Sequence, residues 1–111
     1  MTTGDHTLAD RFAAISLDGL SRGGCRHLEA AGRPVLVTRD DDGHFHAFEG
    51  VCPHALLPLD GARVRRGAVL CPHHGARFDC RTGEPLGPPA ATGLRALKLA
   101  RRGDGWEVEL P

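Results

Sequence analysis

Apolar and polar positions alternate in short runs along this chain, and the runs are cut by turn signals: fifteen glycines and eight prolines are spread over 111 residues. No stretch keeps a helical period, so the pattern predicts an all-β protein. "GRPVLVTR" and "GHFHAFEG" flank the acidic turn "DDDG", which ends in a glycine able to take positive φ, and the three together predict a hairpin. In the second run His44, Phe45, His46, Ala47 and Phe48 alternate as a half-buried strand would, which places His44 and His46 on the solvent face. "RVRRGAVLC" predicts a second tight pair turning at Arg66-Gly67. "LRALKLARRGDGWEVEL" predicts a third turning at "RGDG", with Leu94, Leu97, Leu99, Trp106, Val108 and Leu110 available to a core.

Length then limits the organisation. A chain of 111 residues makes one domain with one small core, and no boundary is expected inside 1–111. Lysine plus arginine balances aspartate plus glutamate at 14 each, so no net field draws in nucleic acid or an anionic membrane. No apolar run reaches the roughly 20 residues of a spanning helix, and "MTTGDHTLADRF" has neither a basic nor an apolar leader segment. A soluble, cytoplasmic monomer is the expectation. Thirteen of the fourteen basic residues are arginine, a bias to which the sequence attaches no function.

The chemistry concentrates between Val51 and Cys80. Cys52 and His54 form Cys-x-His, and Cys71 and His74 form Cys-x-x-His, on two segments that both begin Cys-Pro-His. Paired sulfur and nitrogen donors suit zinc or an iron-sulfur centre, whereas calcium and magnesium require oxygen. Two cysteines with two histidines are also a structural zinc set, but Cys-x-His is tight for one tetrahedral ion and fits two metals better. Cys25 and Cys80 are left as a strand and a loop residue, small side chains free to be buried. A disulfide between them is not expected in a reducing compartment. His73 competes with His74, and only His74 has both the spacing and a following glycine. His44 and His46 could share a metal on one strand face, but polar residues turned to solvent are the commoner cause of such a pattern, and the run "RDDD" reads as a solvated turn.

"CPHHGARFDCRTGEPLGPPA" with the upstream Cys-x-His closely resembles the ligand loops of Rieske-type iron-sulfur proteins: Cys-Pro-x-His-Gly, then Phe-Asp, Thr-Gly and Pro-Pro-Ala. The likeness extends from about Leu17 to Leu110. It implies antiparallel sheets in a small sandwich carrying a two-loop cluster-binding subdomain, with loops at about 51–60 and 70–90. It further implies one [2Fe-2S] cluster per chain, with Cys52 and Cys71 on one iron and His54 and His74 on the other. Pro53 and Pro72 would stiffen the loops, Gly75 would let the backbone approach the cluster, and Pro88 and Pro89 would form a third wall. High-potential members of that family have an extra cysteine, a serine and a tyrosine where this chain has His73, Ala76 and Phe78, so the resemblance implies a low-potential member. Leu56 stands where the family's first loop often has glycine, and a different turn conformation is expected there.

The function implied is that of a ferredoxin, a one-electron carrier between a flavoprotein reductase and a terminal aromatic-ring oxygenase, with no bond chemistry of its own. A small Rieske subunit of an assimilatory nitrite reductase is the alternative, and a structural zinc module a further one. A complete oxygenase is excluded because no histidine follows His74 to hold a mononuclear iron.

Overall fold

A computed structural model describes residues 11–53, 56–73 and 75–111, and among them twelve short strands and no helix. Strand β1 (Phe12–Ile15) pairs with β12 (Gly105–Glu109), which pairs in turn with β11 (Leu99–Arg102). A four-stranded antiparallel sheet runs in the order β10 (Ala96–Leu97), β4 (Phe45–Glu49), β3 (Arg33–Arg39), β2 (Cys25–Ala30). Beyond it lie the two-stranded pair β5 (Val51–Cys52) and β6 (Leu57–Pro58) and the meander β7 (Arg63–Arg65), β8 (Ala68–Leu70), β9 (Arg77–Asp79). The three hairpins read from the sequence are β3–β4, β7–β8 and β11–β12. Arg66 and Gly67 both take positive φ, at 50° and 79°, and this pair of left-handed residues turns the chain tightly enough to match the twist of β7 and β8.

The central hairpin departs from the half-buried expectation. Val35, Leu36, Val37 and Thr38 are all fully buried, and Ala47 and Phe48 of β4 are both buried although they point to opposite faces. The reason is that two cores lie on the two sides of one sheet. Val35, Val37 and Ala47 join Leu17, Leu20, Val108 and Leu110 on one side; Leu36 and Phe48 join Leu59, Val69, Phe78, Ala90 and Leu94 on the other. Full burial of a side chain such as Phe78 is worth about 1.5–3 kcal/mol, so the second core is a substantial share of a small domain's stability. Leu97, Leu99 and Trp106 are partly buried against the first core, as their apolar character suggested.

The second core belongs almost wholly to residues between β4 and β10. The chain leaves the central sheet after Glu49 and returns at Ala96, which pairs with Phe48, and the Glu49 N–H donates to the Arg95 carbonyl at 2.8 Å. Departure and return are thus adjacent. Gly50 makes the exit possible: a Cβ there would lie 2.7 Å from the Val35 backbone nitrogen and 2.8 Å from the Pro34 carbonyl carbon. The glycine-rich and proline-rich segment after Cys80 is held by bonds from Asp79 N–H to the Glu84 carbonyl and from Leu86 N–H to the Arg77 carbonyl.

Candidate metal centre

Cys52 closes β5 and Cys71 follows β8, so each sits where a strand of the second core gives way to a tight turn. The first turn is closed by Leu56 N–H donating to the Cys52 carbonyl at 2.7 Å, the second by Cys71 N–H donating to the Ala76 carbonyl at 2.8 Å. The two closing bonds differ in direction and span, yet the two strand ends present their thiols to one place. Both are buried, at 0% and 4% exposure, in the same apolar cluster. The Cys71 thiol is pushed up to about 11, first by burial and then by Cys52, which is its hydrogen-bond neighbour; a backbone N–H from His73, 3.3 Å from Cys71 Sγ, works the other way.

This donor set fits a thiolate-bound metal. Two free thiols face each other with no disulfide and with apolar side chains around them, and a cation is what such a pair needs to ionise inside a core. The His73 N–H supplies the sulfur with the kind of backbone donor that iron-sulfur ligands use. His54 and His74, the other two ligands expected from the sequence, lie outside the described residues.

His73 lies on the second loop and is half-buried. Its Nε2–H donates to the Pro58 carbonyl at 3.1 Å, tying the second loop to the first. Leu56 takes φ +55°, in the left-handed region that favours glycine, and is 78% exposed. Ala76 and Phe78 are fully buried beside the cysteines and bring no hydroxyl to them. Ala90, directly after Pro88 and Pro89, shares their core, which places the third segment against the same site.

The acidic turn proves more structured than a solvated one. Asp40 is only 2% exposed, and its carboxylate accepts from the N–H groups of Asp42 and His44 and from His46 Nε2–H at 2.8 Å. These bonds, His46 foremost, hold its pKa well below the usual carboxylate range, against the opposing effect of burial. His46 is therefore the partner of a buried carboxylate and does not simply face solvent. Asp40, Asp42 and His44 bring ligand atoms close enough for a cation, but Arg81 already supplies the positive charge, at 3.1 Å from Asp42 and 3.7 Å from Asp40. Cys25 donates to the Ala62 carbonyl and Cys80 is buried; both are free thiols whose pKa burial raises, which suits the inert packing role read from the sequence.

Comparison with known proteins agrees with this geometry. The human apoptosis-inducing factor 3 is 39% identical over 87 residues, 78% of this chain, but the chain spans only 14% of that relative's length and 13% of its mouse counterpart's. The ferredoxin component of biphenyl 2,3-dioxygenase from Rhodococcus jostii RHA1 is 32% identical over 91 residues, covering 82% of this chain and 84% of that one. The solved ferredoxin of carbazole 1,9a-dioxygenase from Nocardioides aromaticivorans IC177 superposes with a TM-score of 0.74 at 31% identity, over 89% of this chain and 96% of that one. The family model for the Rieske [2Fe-2S] domain matches residues 11–98, and with two buried thiols brought to one point by paired turns, the chain belongs to that family.

Proposed function

We propose that the chain is a low-potential Rieske ferredoxin that carries single electrons from a flavoprotein reductase to a terminal oxygenase in the cytoplasm, with Cys52 and Cys71 on one iron and His54 and His74 on the other. The observation that carries the reading is the buried Cys52–Cys71 pair, each at the end of a core strand, in a chain that spans 84% of a dioxygenase ferredoxin component. A cluster of this kind, when bound, supplies reversible one-electron chemistry. The chain's own residues set the conditions for it. Leu59, Val69, Phe78 and Ala90 keep water from the cysteines, and the His73 backbone N–H stabilises negative charge on Cys71 Sγ. With Ala76 and Phe78 lacking hydroxyls, fewer donors stabilise the reduced form, which favours the lower part of the family range of about −150 to +300 mV.

The purified protein is expected to be coloured, to bleach with dithionite as an EPR signal appears, and to contain iron and acid-labile sulfide in equal amounts. A colourless protein with one zinc per chain would overturn the reading. Replacing His54 with Cys adds negative charge and should move the potential down, towards the about −400 mV of all-cysteine plant-type clusters.

A further inference from the structure

We infer that the outer face of the β7–β8–β9 meander is a docking surface for a protein partner that presents clustered carboxylates. The chain is neutral overall, yet residues 61–78 hold Arg63, Arg65, Arg66 and Arg77 and no acid, with Asp60 and Asp79 just beyond its two ends. The fold gathers this charge onto one side. Register pairs Arg63 with Leu70 and Leu70 with Arg77, while Val64, Val69 and Phe78 form the next row and point into the core. Arg63, Arg65 and Arg77 therefore project outward together, Arg63 and Arg77 two strand spacings or about 10 Å apart and Arg65 about 7 Å along the strand from Arg63. All three are exposed, as is Arg66 in the turn, and among the described residues none of the four forms an ion pair.

Position and composition both point to a protein partner. Leu70 precedes Cys71 directly, so the Arg63–Leu70–Arg77 row is the one nearest the metal centre, while Asp79 lies in the far row and spends its carboxylate on the backbone N–H groups of Arg81 and Thr82. Arg77 also donates to the Leu86 carbonyl, which fixes its guanidinium beside an exposed leucine. Arginine is enriched at protein interfaces, and a guanidinium matches a carboxylate in bidentate geometry. A compact group of four charges on a neutral molecule does not supply the extended positive field that nucleic acid or an anionic membrane needs. That the partner is a redox protein rests on the carrier reading; the surface itself does not.

The test uses the full-length protein as purified, with Arg63→Glu/Arg77→Glu as variant and Arg22→Glu/Arg33→Glu as a charge-matched control on another surface. Circular dichroism verifies that each is folded. Poly-L-glutamate titrated at low salt should bind the native protein and the control alike and bind the variant at least tenfold more weakly. In the cluster-loaded protein, oxidation by anionic ferricyanide should slow several-fold in the variant while oxidation by cationic hexaammineruthenium accelerates. Absent binding, equal losses in variant and control, an unchanged ratio of the two oxidation rates, or tighter binding to duplex DNA or phosphatidylglycerol vesicles than to poly-L-glutamate would each overturn the proposal. A protein that lacks a cluster would defeat the carrier reading alone, since the poly-L-glutamate titration still decides the surface.

Discussion

Leu56 illustrates how one residue can hold a conformation that its type disfavours. A left-handed backbone costs a non-glycine residue roughly 1–2 kcal/mol, and a side chain 78% exposed recovers little of that through burial. Leu56→Gly should leave stability within about 1 kcal/mol of the native value, since relief of strain is offset by a more flexible unfolded chain. Leu56→Val, β-branched, should lose about 1 kcal/mol or more, measured by denaturant unfolding. The opposite order would show that the turn does not need this conformation. Sequence exposes the substitution but not its outcome: a missing glycine says only that the chain must either change the turn or bear the strain. For His73 the spacing to Cys71 was legible, whereas its bond to Pro58 needed the two loops to be brought together.

Between elements, Asp40 joins the β3–β4 turn to the exit of β9 through Arg81, and Thr38 reinforces the joint by donating to the Cys80 carbonyl. Because the Asp40 pKa is lowered on folding, its contribution is complete above the ordinary carboxylate value of about 3.9 and is lost as pH falls through the depressed value. Asp40→Asn should therefore unfold at lower urea than the native protein at pH 7, with the gap narrowing as pH is taken well below 4. A gap independent of pH would assign the effect to packing. The hairpins were readable because each is specified by neighbours: a glycine-containing turn between two alternating runs. The Asp40–Arg81 joint was not, because the partners are far apart in sequence and an acidic run looks like a solvated turn until the fold buries one member. The same separation hid the pairing of β1 with β12, where Phe12 meets Glu109. It also hid the outer arginine row, since the R-V-R alternation predicts a strand but not that Arg77 will line up beside it.

For the molecule as a whole, the decisive arrangement is one sheet with a core on either side, only one of which contains Cys52 and Cys71. Cys52→Ser, which removes one proposed metal ligand, should raise amide hydrogen exchange in β7, β8 and β9 by roughly tenfold or more while β11 and β12 keep their protection. Equal loss of protection everywhere would mean that the two cores unfold as one. The fold class and the two cysteines of the candidate site were legible because strand periodicity and the Cys-x-His and Cys-x-x-His spacings are local signals, whereas the partition into two cores depends on which face each central residue takes. The adjacency of Glu49 and Ala96 has a consequence of its own. Residues 50–95 behave as a cassette plugged into a single socket at one sheet edge, so ligand loops of a different redox character could be transplanted there, or acquired by a descendant, without redrawing the scaffold beneath.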